Sequence, residues 1–186
     1  MAKVFKTLEK PLTEFISAQR LFFVATAPLA RGGHVNLSPK GLDSFRIVDP
    51  TTVAYLDFTG SGIETVSHVR ENGRIVVMFC ALEGPPKILR LHGRAEVIEP
   101  DDPRFGDLVT RFPPSPGARA IILIALERIA DSCGYGVPRY RYEGERSQLP
   151  AWAQRQGTKG LDEYRAKNNR MSIDGFPGLR GTASEN

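Results

Sequence analysis

Apolar residues in this chain fall mostly into short runs that alternate with polar positions, the period of half-buried strands, and a few stretches carry the three-to-four spacing of a helix face. Pro11 followed by Leu12, Phe15 and Ile16 predicts a short amphipathic helix with proline in its first turn. Residues 21–27 and 34–38 read as strands of an antiparallel hairpin, with Arg31-Gly32-Gly33 supplying positive-φ positions for a tight connection. A weaker strand covers residues 45–48, and Asp49-Pro50 turns the chain into a strand at 53–58. Ser61-x-x-Glu64 matches a capping box that opens a helix over 64–72, with Ile63, Val66 and Val69 inward and Asn72-Gly73 at its end. Strands at 74–82 and 87–98 pair across Glu83-Gly84-Pro85-Pro86. Pro100-Asp101-Asp102-Pro103 starts a helix ending near Phe112, Pro113 to Gly117 form a rigid connector, and residues 120–129 supply one more strand.

Six or seven strands with helices between them, without regular βαβ alternation, imply a mainly β (α+β) fold. The expected form is an antiparallel barrel with peripheral helices. A chain of 186 residues, 41% of them hydrophobic, is long enough for one well-buried core and too short for two full domains. Beyond Gly144 the pattern changes to a polar helix around 161–168 and Gly- and Pro-broken segments. The expected organisation is therefore a barrel domain over 1–146 and an extension over 147–186 that packs on the barrel or on a partner subunit.

The longest apolar runs, 75–82 and 120–126, are far below the roughly 20 residues of a membrane span and rich in β-branched residues, so they read as core strands of a soluble protein. The basic start Met1 to Thr7 lacks the apolar run of an export signal, and two isolated cysteines, Cys80 and Cys133, fit a reducing compartment. Both point to the cytoplasm. The formal charge of +4 is spread among both signs and suits an anionic small ligand as well as nucleic acid. No RNP, KH or helix-turn-helix pattern accompanies it, so a nucleic-acid partner is disfavoured. His34, His68 and His92 have no Cys, Asp or Glu at ligand spacing, which argues against a metal site.

Two short segments carry the candidate chemistry. His34-Val35-Asn36-Leu37-Ser38-Pro39-Lys40-Gly41 places a lysine at a strand's end, where its ammonium can meet an anion. Phe58-Thr59-Gly60-Ser61-Gly62 runs from a strand through glycines into a helix start, presenting backbone amides suited to a phosphate. Tyr135 to Tyr142 interleave aromatics with arginines and could stack on a ring or hold an anionic substrate.

The order of these segments, followed by the helix, the apolar strand and Lys87-Ile88-Leu89-Arg90-Leu91-His92-Gly93-Arg94, resembles the pyridoxamine 5'-phosphate oxidase-like family of FMN-binding split barrels, from Phe15 to about Ile129. Ser132-Cys133-Gly134-Tyr135-Gly136-Val137-Pro138 and Ser172-Ile173-Asp174-Gly175-Phe176-Pro177-Gly178 are similar to a longer-chain subgroup. The resemblance implies a Greek-key split barrel and a homodimer with the flavin at the subunit interface. It also implies FMN redox chemistry on a small molecule, with NAD(P)H as a candidate reductant.

Lys40 corresponds to the family's phosphate-contacting lysine, Asn36, Leu37 and Ser38 to the strand along the isoalloxazine, and Phe58, Thr59, Gly60 and Ser61 to its aromatic-threonine turn. Glu64 and Thr65 stand where the pyridoxamine oxidases carry an Arg-Lys pair; a carboxylate there opposes a dianion, so either the phosphate shifts or Lys40, Lys87 and Arg90 compensate, and Thr65 and Lys87 join the cofactor-binding candidates. The C-terminal arginine-histidine substrate motif is replaced by Asp174-Gly175-Phe176-Pro177-Gly178, so pyridoxamine phosphate itself is disfavoured as substrate. The alternatives are a non-catalytic flavin-binding or storage module and the same barrel carrying a deazaflavin or haem.

Overall fold

Where apolar and polar residues alternate, the chain is extended. The computed structural model describes residues 3–181; Met1, Ala2 and residues 182–186, the outermost parts of the two expected regions, lie outside the described residues. In chain order the elements are β1 (Val4–Phe5), α1 (Lys10–Ser17), β2 (Phe22–Thr26), β3 (Asn36–Lys40), β4 (Phe45–Asp49) and β5 (Thr52–Phe58). Then follow α2 (Glu64–Asn72), β6 (Arg74–Cys80), β7 (Ile88–Ile98), α3 (Phe105–Val109), β8 (Ala118–Ser132) and α4 (Gln148–Asn168). The strands form one eight-stranded sheet in the order β3-β2-β6-β7-β8-β5-β4, with β1 added to β8. Every pairing is antiparallel. This is the open, split-barrel arrangement expected from the sequence. It has one strand more, because β1 is two residues long and too short to show any alternation.

The long strands β7 and β8 are the spine. A bulge between His92 and Gly93 bends the pair, and a Cβ on Gly93 would lie 2.2 Å from the Ala125 carbonyl oxygen, so only glycine allows the approach. Inside the coiled sheet Val24, Tyr55, Val77, Leu89, Leu91 and Ile122 are buried against Leu12 and Ile16 of α1 and Val66 of α2. Each such aliphatic side chain contributes about 1.5–3 kcal/mol on burial. A second cluster, Leu56, Ile98, Phe112 and Ile121, lies on the other face beneath α3, which leaves the middle of β8 covered on both sides.

Three local expectations change. The connection through Gly32 and Gly33 uses no positive φ; Leu42 (59°) and Asp43 (52°) adopt it instead, in the turn between β3 and β4. The capping box does not form. The N-cap of α2 is Ile63, no side chain caps it, and Glu64 occupies the first helical position rather than the third. Its other end follows expectation, with Gly73 at φ 69° donating its N–H to the Val69 carbonyl. Finally, α4 begins well before residue 161 and is bent at Gly157, where glycines and glutamines obscure the apolar stripe.

Candidate functional site

Strand β3 has period two, so Asn36, Ser38 and Lys40 project to one side and the exposed Leu37 and Pro39 to the other. The inward row faces the start of α2 and the end of β5 across a half-open cleft of about 550 Å³. Of the residues singled out in the sequence, Asn36, Ser38, Lys40, Phe58, Thr59, Gly60 and Thr65 line this cleft. Leu37 is 63% exposed on the opposite face of β3, and Ser61 is exposed outside the lining. Lys87 is remote, its ammonium 3.7 Å from Asp131 and 5.2 Å from the centroid of the Phe15 ring.

Lys40 is not a free cation. Its Nζ lies 3.0 Å from Oδ1 of Asp57, whose Oδ2 accepts from Nε of Arg119 at 2.8 Å. Asp57 is 1% exposed and Arg119 5% exposed. Burial alone would raise the Asp57 carboxyl, but the adjacent Arg119 and Lys40 charges outweigh it and hold the group below the usual carboxylate range. Arg119 also donates to the carbonyls of Gly60 (3.2 Å) and Gly62 (2.6 Å) and to Oδ1 of Asn169 (2.9 Å). The fully buried Asn169 in turn donates to the Gly60 carbonyl at 2.8 Å. The glycine turn is therefore gripped from beneath by β8 and by the residue that ends α4. Its carbonyls point down, and a Cβ on Gly60 would meet open space.

Thr59 is wholly buried. Its hydroxyl accepts from Nε of Arg165 at 2.9 Å, which makes it a buttress between the turn and α4. A second polar chain orders the β3 side. Nδ2 of Asn36 donates to Oγ1 of Thr65 (2.9 Å) and of Thr26 (3.3 Å), Ser38 donates to Oδ1 of Asn36 (3.1 Å), and Thr26 lies 3.0 Å from Nδ1 of the fully buried His68. Burial pushes the His68 imidazole down, so it stays neutral at physiological pH.

Glu64 lines the cleft and folds its carboxylate back over Gly62. Together with Asp57 and Glu145 it opposes the four cations Arg20, Lys40, Arg119 and Arg146 that share the lining. The residues missed in the sequence had one visible signal. Asp57 and Arg119 are charges inside apolar strands, and a charge buried on a strand requires a partner of opposite sign. Which two residues pair is not readable before the register of β5 with β8 is known; it sets Asp57 opposite Ala120.

Comparison with known proteins agrees with this arrangement. The family model described as pyridoxamine 5'-phosphate oxidase matches residues 8–133. The chain belongs to the pyridoxamine 5'-phosphate oxidase family. It is similar to the pyridoxamine 5'-phosphate oxidase family protein ustO of Aspergillus flavus, with 41% identity over 94% of this chain and 77% of that protein. Among solved structures, a histidine-to-alanine variant of HupZ from Group A Streptococcus is 26% identical, with a TM-score of 0.53 over 67% of this chain and 99% of its own. A Lactobacillus delbrueckii structure, 20% identical with a TM-score of 0.52 over 67% of this chain and 94% of its own, shares the fold. The family match stops before the strap of residues 134–147 and before α4. The parts of the cleft supplied by Gly144, Glu145, Arg146 and Leu149 thus lie outside the matched segment.

Proposed function

We propose that this chain binds FMN and works as a homodimeric oxidoreductase on a small organic molecule. The observation that carries this reading is the cleft between β3 and the start of α2, where Asn36, Ser38, Thr65 and Lys40 converge beside a helix start that no side chain caps. The donor set fits the group. A ring edge with alternating donors and acceptors suits Asn36 and Ser38, whose side chains are already fixed by each other and by Thr26 and Thr65. The phosphate would meet Lys40 and the α2 amides, with Glu64 opposing and the net positive lining of the cleft offsetting it. When bound, FMN supplies the electron and hydride chemistry. The chain's own residues orient the ring, hold positive potential near it and exclude water.

The dimer is supported by the outer face of β2 and β6. There Phe23, Ala25, Val76 and Met78 are only half-buried, and Leu37 and Pro39 of the neighbouring β3 are exposed beside them. A second copy would cover this face and the adjoining side of the cleft. Among the described residues no helix is long and apolar enough to cross a membrane, and both cysteines are free, which supports the cytoplasm as the place of action.

The test is the visible spectrum of the purified protein followed by titration with FMN, riboflavin, a deazaflavin and haem, and then turnover with NAD(P)H. A flavin spectrum, FMN preferred to riboflavin, and reductant-dependent turnover are expected. A haem or deazaflavin spectrum would overturn the cofactor assignment, and tight FMN binding without turnover on any electron donor would make the chain a carrier.

A further inference from the structure

Next to the cofactor cleft lies a second groove, of about 650 Å³, whose floor is apolar. Phe15 at the end of α1, Leu21, Cys80 at the end of β6 and Leu82 supply that floor, all of them half-buried. The outer wall is the strap after β8, fastened in place where the Tyr140 N–H donates to the Leu82 carbonyl (3.0 Å) and the Tyr142 N–H to Oε1 of Glu83 (3.1 Å). The groove and the cofactor cleft share Arg20, Leu21 and Gly144 in their linings, so the two chambers adjoin there. At that junction the guanidinium of Arg20 stands 5.6 Å from the centroid of the Tyr142 ring. It forms no ion pair among the described residues, while the Tyr142 hydroxyl donates to Glu145 at 3.0 Å. An exposed cation held by an aromatic face, with one hydrophobic chamber on one side and the cofactor cleft on the other, is the geometry of an anion anchor.

We infer that this groove is the binding site for an organic acid with an aromatic or aliphatic body, its single carboxylate on Arg20 and its apolar part on Phe15, Leu21 and Leu82. The groove's other charges set the class. Arg141 adds a second cation on the strap, whereas Glu83 and Glu143 at the same wall repel a second carboxylate and favour monoacids over diacids. The role of this acid as reaction partner rests on the flavin reading above. Its binding does not.

The probe is indole-3-propionate, compared by calorimetry with its uncharged amide, on the full chain as purified and after saturation with FMN. The acid is expected to bind at least tenfold more tightly than the amide, and Arg20→Gln to remove most of that difference. Ala18→Trp, which fills the groove from the end of α1, should abolish binding of both compounds with an unchanged circular dichroism spectrum. Equal affinity for acid and amide, no binding to the unaltered chain, or binding undisturbed by Ala18→Trp would each overturn the proposal; if Ala18→Trp does not fold, the Arg20→Gln comparison decides alone. FMN binding without acid binding would sink this inference and leave the flavin reading standing, and acid binding without FMN binding would do the reverse.

Discussion

Lys40 reaches the cleft as one arm of a chain of charges, Lys40 to Asp57 to Arg119, and this decides what its removal costs. Part of its potential is already spent on Asp57, so Lys40→Ala should weaken FMN about tenfold, or about 1.4 kcal/mol, and leave riboflavin unchanged in a parallel titration. Glu64 makes the opposite forecast. Because it is at the first helical position, caps nothing and lines the cleft, Glu64→Gln should tighten FMN about threefold to tenfold at low salt. The same change should cost up to about 1 kcal/mol of helix-dipole stabilisation, read by urea unfolding of the flavin-free protein. Unaltered FMN affinity in that variant would show that the phosphate sits elsewhere. Asp57 sets the acid response. Its carboxyl is held below its unfolded value of 3.8, so below that pH the unfolded chain takes up the proton more readily. Its stabilisation is complete above the ordinary carboxylate range and is lost as pH falls through the depressed folded value. Asp57→Asn should flatten that part of the acid-unfolding profile while destabilising the protein by about 3–5 kcal/mol at neutral pH, since Arg119 is left buried without its counter-charge.

Among the elements, α4 and the loop after it hold the glycine turn rather than merely covering the sheet. Arg165 ties α4 to Thr59 and to the Ala118 carbonyl (2.9 Å), and Asn169 joins Arg119 to Gly60. Removing the Asn169 side chain leaves buried donors and acceptors unmet, so Asn169→Ala should cost about 1–3 kcal/mol in denaturant unfolding and also weaken FMN through the slackened turn. A stability loss with FMN affinity intact would separate the turn from the cofactor. The elements show why some of this was legible and some was not. Helix α2 and strands β5, β6 and β7 follow from period and punctuation alone, since Gly73 and the Gly84-Pro85 loop mark their ends. The start of α2 misleads because Ser61 and Glu64 have the residue types of a capping box, while Ile63 is the N-cap, Glu64 is the first helical residue, and the Gly60 and Gly62 carbonyls before it are held by Arg119. The bent α4, the strained Leu42 turn and the Thr26 to His68 support of Asn36 depend on contacts distant in sequence, which no local pattern records.

At the scale of the molecule, the decisive question is what covers the outer face of β2 and β6. Residues 75–79 and 121–126 are both strongly apolar, but the two clusters flanking β8 bury Ile121, Ile122 and Ile124 completely within one chain. Only the β6 side remains, where Val76 and Met78 stand beside Ala25 and Phe23 in register and extend to the exposed Leu37 and Pro39 of the edge strand β3. Strand β3 carries Asn36, Ser38 and Lys40 on its opposite face, so a copy seated on this patch would brace the strand that lines the cleft. Dimerisation and FMN affinity are therefore expected to move together. The unaltered chain is expected to sediment as a dimer, and Val76→Glu, which places a charge in the centre of the patch without touching the cleft, as a monomer over a wide concentration range. FMN binding should fall at least tenfold in the same variant, while the melting of the isolated chain changes little because Val76 is only half-buried there. A variant that is monomeric yet binds FMN as tightly as the parent would show that one chain completes the site, and a parent that sediments as a monomer would remove the interface altogether.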